Sequence, residues 1–401
     1  MYDIDKIRAD FPILSKEGLV FLDSAASAQK PKSVINRIKD VFENEYSNVH
    51  RGSYSLSENL TKEYEDARQE VASFINAETK KEVIYTRGAT EAINLVANSW
   101  GKKFLSNNDE VIISEAEHHA NLVPWQLLSK EIGFELKICK VTDEGEFDFE
   151  DYKSKLSKKT KLVAITHVSN VLGTVFPIKK IIDEAKKYNS KTLIDGCQGI
   201  VHEKVNVKDL DCDFYVFSGH KLYGPTGIGI LYGKYDILTQ MNPYQYGGDM
   251  VTEVTYQETK FDLPPARFEA GTPAIAEAVA LGEAIKYINS IGIKNIIEYE
   301  NKITKYAMQE LSKIDAIKLV GSATNKIGVF SFVINNVHSD DASFIFNKMG
   351  ICVRTGSHCA QPLVNRMGHK SVIRASIGLY NTKEEIDSLI KAIYKVQEIC
   401  S

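Results

Sequence analysis

Six short runs of aliphatic and β-branched residues, each separated from the next by a helical period, constrain this chain more than any other feature. They are Val83-Ile84-Tyr85-Thr86, Val111-Ile112-Ile113-Ser114, Leu136-Lys137-Ile138-Cys139, Leu162-Val163-Ala164-Ile165-Thr166, Thr192-Leu193-Ile194-Asp195 and Phe214-Tyr215-Val216-Phe217-Ser218. Between them, Thr90 to Trp100, Val123 to Glu131, Asp148 to Lys155 and Ile178 to Tyr188 read as helices. This alternation predicts an α/β fold with a mostly parallel sheet covered by helices. Ligands in such sheets gather where strands end and loops lead into helices. After Gly247-Gly248-Asp249-Met250, a Thr- and Pro-bearing segment up to Pro264-Pro265 predicts a hairpin or extended loop. A long helical region from Ala274 to about Leu311 follows, then a strand from Gly328 to Ile334, a helix from Ala342 to Met349 and a last helix from Glu384 to Ile399. Two domains are expected from the length of 401 residues: 16–260 as the large one, and 1–15 with 261–401 as the small one.

Composition narrows the function classes. Lys plus Arg number 49 against 53 Asp plus Glu, a formal net charge of −4, which argues against a general nucleic-acid binder. The opening Met1-Tyr2-Asp3-Ile4-Asp5-Lys6 alternates charge with apolar residues, so no secretory signal is expected, nor a membrane span further on. A cytoplasmic location is expected, or an organelle stroma if an upstream transit peptide was trimmed. Six cysteines at 139, 197, 212, 352, 359 and 400 include no C-x-x-C pair and fit free thiols in a reducing compartment.

The densest local signal is Asp213 to Gly227, where a hydrophobic strand runs into Ser218-Gly219-His220-Lys221 and then a Gly/Pro loop. A Lys at the end of a buried strand is desolvated, which makes its amine available for a Schiff base. Ser218 and His220 are candidate donors to a phosphate. The alternative is a surface Lys at a strand terminus. Thr192 to Gln198 puts Asp195 at another strand end, 26 residues before Lys221. A carboxylate there can pair with the pyridinium nitrogen of pyridoxal phosphate and keep its ring an electron sink, or it can simply cap the next helix. Gln198 can reach the ring's phenolic oxygen or serve as loop polarity.

Thr86-Arg87-Gly88-Ala89-Thr90-Glu91 opens a helix after a strand, a seat suited to phosphate, although Thr90 can be only a cap. It lacks the spacing of a Walker loop. In Glu117-His118-His119-Ala120-Asn121, an imidazole can stack on a cofactor ring and shuttle protons. A surface His pair without a role is the alternative; no metal-binding spacing accompanies it. Arg354-Thr355-Gly356-Ser357-His358-Cys359 sets one Cys beside a His and near an Arg, neighbours that favour a nucleophilic thiolate. A small buried Cys is the alternative, and a zinc site from Cys352, Cys359 and His369 matches no standard spacing. Arg374, on a predicted strand, suits a substrate α-carboxylate or a structural ion pair.

Taken together, these segments resemble a group II, SUF-type cysteine desulfurase of the class V aminotransferase family. The resemblance spans nearly the whole chain, from Ile7 to Leu14 and Leu22-Asp23-Ser24-Ala25-Ala26-Ser27 through Asn48-Val49-His50-Arg51-Gly52, His167 to Gly173 and Phe268 to Pro273, to Tyr380-Asn381-Thr382. It implies the fold type I arrangement of pyridoxal-phosphate enzymes, a large domain with a mixed, mostly parallel sheet and a smaller α+β C-terminal domain. It implies that Lys221 binds the cofactor covalently, Asp195 pairs with the ring nitrogen, His118 stacks on the ring and Gln198 bonds the phenolic oxygen. Phosphate contacts would come from Ala89, Thr90, Ser218 and His220, with Thr272 crossing from the second subunit of a homodimer. Asn170, Arg374, Arg354 and His50 would contact the substrate L-cysteine, and Cys359 would receive its sulfur. The family often has His where Ser357 stands and Thr where Ala89 stands; a contact through the Ala89 backbone amide survives the second change.

The short path from Arg354 to Cys359 resembles the SUF type, in which a SufE- or SufU-type acceptor comes to a less mobile Cys and passes sulfur to scaffold proteins for iron-sulfur clusters. The implied route uses two nucleophiles. The Lys221 amine removes the substrate Cα proton and the Cys359 thiolate takes the sulfur, leaving a persulfide and alanine. The rivals are a selenocysteine lyase, an aminotransferase or kynureninase relative, and a non-catalytic sulfur-relay subunit.

Overall fold

Residues 2–400 are described by a computed structural model in which seven strands form the principal sheet. In chain order these are β1 (Val83–Thr86), β2 (Glu110–Ser114), β3 (Glu135–Cys139), β4 (Thr160–Thr166), β5 (Lys191–Asp195), β6 (Phe214–Ser218) and β7 (Gly229–Gly233). Their spatial order is β1-β7-β6-β5-β4-β2-β3. The pairs from β6 across to β3 are parallel, whereas β7 is antiparallel to both β6 and β1. All six strands expected from the sequence are present. The seventh, Gly229-Ile230-Leu231-Tyr232-Gly233, is an addition whose flanking glycines read as loop.

Continuous apolar runs form strands here because both faces of the sheet are covered. Side chains alternate between two cores. Leu162, Ala164, Leu193, Phe214 and Val216 enter one, while Val163, Ile165, Ile194, Tyr215 and Phe217 enter the other. Gly229 is required by contact, because a Cβ there would lie 2.4 Å from the Gly88 Cα. The loop after β1 therefore lies directly against β7.

A second sheet is wholly antiparallel, with β8 (Ile317–Leu319), β9 (Val329–Ile334), β10 (Arg354–Gly356) and β11 (Val372–Ser376) in the order β8-β9-β11-β10. The helices Ile293–Leu311 and Lys383–Cys400 share its core. The helical region expected from Ala274 to Leu311 is broken at Gly292, whose φ of +89° suits glycine, into Ile275–Ile291 and Ile293–Leu311. The first of these helices packs into the core of the large sheet. The chain's start reaches the second sheet's side, where Tyr2 stacks on Tyr299 and Arg8 lies 3.1 Å from Glu385. A hairpin, Val251–Val254 with Thr259–Phe261, occupies the Thr- and Pro-bearing segment. Among the described residues, no helix is long and apolar enough to cross a membrane.

Phe217 is fully buried on β6, one residue before Ser218. Phe217→Ala should lower unfolding stability by about 3–5 kcal/mol, measured as a reduced urea midpoint. An unchanged midpoint would mean that β6 does not anchor this core.

Candidate active site

Polar side chains emerge where β4, β5 and β6 end, because the strands leave no polar exit along their covered faces. Thr166 and Asp195 are paired neighbours at the ends of β4 and β5, and Ser218 ends β6. Together with the Cys loop they line a cavity of ≈ 210 Å³. Twelve of the fourteen residues expected at the site line it: Ala89, Thr90, His118, Asn170, Asp195, Gln198, Ser218, His220, Lys221, Arg354, Cys359 and Arg374. Two do not. Thr272 lines a separate hollow with Arg87, Glu91 and Glu277, and His50 is exposed, its Nε2 3.4 Å from Glu65.

Lys221 sits half-buried on a short turn directly after β6 and forms no salt bridge with a carboxylate among the described residues. Asp195 is buried; its Oδ1 accepts from the Cys197 amide at 3.0 Å. Its second oxygen has no hydrogen bond among the described residues. Ser218 Oγ accepts from the Ala89 amide at 2.9 Å, tying β6 to the start of the helix Ala89–Leu95. Gln198 donates from Nε2 to the Ala25 carbonyl at 2.8 Å, which leaves its second amide hydrogen free.

His118 caps its own helix, Nδ1 accepting from the Ala120 amide at 3.0 Å. Burial, reinforced by the Lys221 charge, pushes its pKa down to about 4, so the ring is neutral and Nε2 carries the proton. His220 is likewise pushed down to about 4, by burial and then by Lys221. His358 is pushed down to about 3 by burial and by Arg374. This corrects one expectation: the His beside Cys359 carries no charge to attract a thiolate. Positive charge near Cys359 comes from Arg354 and Arg374, and Cys359 itself is exposed.

Arg374 is buried on β11. NH1 donates to the Asn170 carbonyl at 3.0 Å and NH2 to Asp23 at 3.2 Å, while Nε is buried without a partner. Arg354, half exposed at the mouth, also binds Asp23, at 2.9 Å. Asp23 thus holds both arginines together, a role sequence reasoning missed because the contacts span more than 300 residues. Two neighbours of His118 were missed as well. Glu117 bonds Ser114 Oγ and accepts from Asn121 Nδ2 at 2.6 Å and from the Thr166 amide at 3.0 Å. Burial pushes its pKa up to about 8, so it carries a proton at neutral pH. His119 faces the Cys loop.

An amine without a carboxylate partner, a buried acid with a spare oxygen, a helix start and an orphaned guanidinium nitrogen converge on one cavity. That donor set fits a ligand with a carbonyl, a basic ring nitrogen and a phosphate, together with a carboxylate-bearing substrate.

Residues 20–389 match the aminotransferase class-V family. A cysteine desulfurase of Dickeya dadantii is 45% identical over 99% of this chain and 98% of its own length. One from Synechococcus elongatus is 46% identical, and there the chain spans only 64% of the relative's length. Among solved structures, the cysteine desulfurase CsdA of Escherichia coli is 35% identical, superposes with a TM-score of 0.94 and is covered completely, as is this chain. The apo cysteine desulfurase of Thermococcus onnurineus is 34% identical with a TM-score of 0.93, over 99% of this chain and 98% of its own. This chain belongs to the class-V aminotransferase family.

Proposed function

We propose that the chain is a pyridoxal-phosphate-dependent cysteine desulfurase that converts L-cysteine to L-alanine and leaves the sulfur as a persulfide on Cys359. The observation that carries this reading is the meeting of the Lys221 amine and the Cys359 thiol in one cavity, delivered by different sheets. Selenocysteine lyase, the neighbouring activity, needs less help from a thiolate; the placement of Cys359 in that cavity favours cysteine as substrate.

Pyridoxal phosphate would be held covalently by Lys221, through its ring nitrogen by Asp195, and through its phosphate by Ala89, Thr90, Ser218 and His220, with His118 on the ring and Gln198 at the phenolic oxygen. When bound, it supplies an electron sink at the substrate Cα. The Arg374 guanidinium, with its unpartnered Nε, orients the substrate carboxylate. Asn170 assists, and Arg354 lines the entry. The Lys221 Nζ takes the Cα proton. The neutral His118 offers its Nε2 proton to the reacting centre. The Cys359 thiolate forms the new S–S bond while the substrate C–S bond breaks, its electron pair remaining with the carbon skeleton, which gains a proton and leaves as alanine.

A SUF-type enzyme is supported by the short, fixed path from β10 to Cys359, which suits a SufE- or SufU-type acceptor that comes to the thiol. A homodimer is supported by Thr272 and His50 lying outside their own chain's cavity, and by exposed Tyr246, Val254, Tyr256 and Leu263 around the hairpin. Six free cysteines support a reducing, cytoplasmic setting. We take 16–260 as the cofactor-binding unit and 1–15 with 261–401 as the unit carrying the Cys loop. The separate antiparallel sheet supports this division from β8 onward, while the helix Ile275–Ile291 packs on the large sheet.

Cys359→Ser should retain the yellow cofactor chromophore and bind cysteine, yet lose alanine formation by more than about 100-fold and give no persulfide by mass spectrometry. Normal turnover by this variant would remove Cys359 from the reaction.

Acid should weaken the fold through its buried neutral histidines. For His118, His167 and His220, held at about 4, and His358, held at about 3, the folded pKa lies below the unfolded value of about 6.5. Their stabilising contribution is therefore complete above pH ~6.5 and lost as pH falls through the folded values. Each fully buried ring adds a slope of up to about 1.4 kcal/mol per pH unit between those limits, less for the partly solvated His118 and His220. Urea midpoints measured from pH 7 to 4.5 should fall steeply; a flat profile would mean that these rings are protonated in the folded protein.

A further inference from the structure

The backbone around Cys359 needs an external hold. His358 and Cys359 both adopt left-handed conformations, with φ of +51° and +55°, which side-chain-bearing residues avoid unless their surroundings impose them. One neighbour grips both sides of the thiol. The His119 amide donates to the Cys359 carbonyl at 2.7 Å. The His119 Nε2 accepts from the Gln361 amide at 3.2 Å, at the first residue of the helix Gln361–Arg366. Asn170 Nδ2 adds a third tie, to the His358 carbonyl at 2.8 Å.

The sequence explains why His119 can do this. His118 caps the helix His119–Ile132, so two consecutive imidazoles leave the same helix start. Their rings are 6.3 Å apart at 47°. His118 lines the cavity and His119 does not. The contact uses the Nε2 lone pair of His119 as the acceptor for the Gln361 amide.

We propose that His119 is a positioning residue for the sulfur carrier: its main-chain N–H and its Nε2 lone pair clamp the carbonyl of Cys359 and the amide of Gln361, and so hold the thiol at the cavity mouth. This rests on the reading of Cys359 as sulfur acceptor. The main-chain bond survives any side-chain change, so the Nε2 contact is what mutation tests.

The test uses the holoenzyme and compares His119→Ala with His119→Gln, whose Oε1 can accept in place of Nε2. In His119→Ala, amide hydrogen exchange across Ser357–Gln361 should accelerate about five-fold, the effect of losing one hydrogen bond. The alanine-forming kcat should fall about five- to ten-fold with KM for cysteine moving less than about two-fold, since a displaced thiol affects sulfur transfer more than binding. The cofactor chromophore should not change. His119→Gln should restore exchange and kcat. If the Ala variant does not fold, His119→Phe keeps a ring without an acceptor and should behave as expected for Ala. Wild-type exchange at Ser357–Gln361 in the Ala or Phe variant, or a Gln variant as impaired as Ala, would overturn the proposal. Exchange is read without substrate, so it judges the clamp even if Cys359→Ser shows that this thiol carries no sulfur.

Discussion

Coverage of the large sheet on both faces is the constraint from which the site follows. With Leu162, Ala164 and Val216 committed to one core and Val163, Ile165 and Phe217 to the other, a polar group on these strands can meet a ligand only where a strand ends. Thr166, Asp195 and Ser218 occupy those ends, and Lys221 follows on the first turn beyond β6. The Gly229–Gly88 contact presses the loop after β1 against this row. Ala89 and Thr90 thereby join residues more than 100 positions away.

The second sheet supplies an exposed thiol and a buried guanidinium; the thiol the large sheet brings to the cavity, Cys197, has its pKa pushed up to about 12 by burial. Arg374 on β11 and Arg354 on β10 are joined through Asp23, from the chain's first segment, so three distant stretches meet at one ionic junction. Removing two buried or half-buried charges from water is costly unless they are paired. Asp23 provides that pairing while leaving Arg374 Nε open. Around this junction the imidazoles of His118, His220 and His358 are neutral. The cavity's positive charge is therefore concentrated on the arginines and Lys221, which suits an anionic cofactor and a carboxylate-bearing substrate.

What the sequence reveals and what it hides divide along one physical line. Local periodicity is set by a residue's near neighbours, so the six apolar strands and the strand-end positions of Asp195 and Lys221 are legible. Strand β7 is not, because glycines at both its ends resemble a loop; only the Gly88 backbone beside Gly229 explains them. The break at Gly292 is hidden in an apolar helical pattern that continues on both sides. Long-range partners leave no spacing signal, which is why Asp23 and the His119 grip on the Cys loop appear only in three dimensions. The neutrality of His358 depends on burial and on Arg374, neither visible in the motif Ser357-His358-Cys359.

A covalent tie between the cofactor and the amine after β6 is the central claim, and borohydride reduction of the purified holoenzyme followed by peptide mass mapping tests it most directly. The account predicts a single pyridoxyl-phosphate adduct on Lys221. An adduct on another amine, such as the half-buried Lys30 or Lys326, or none in a protein that still forms alanine from cysteine, would contradict it.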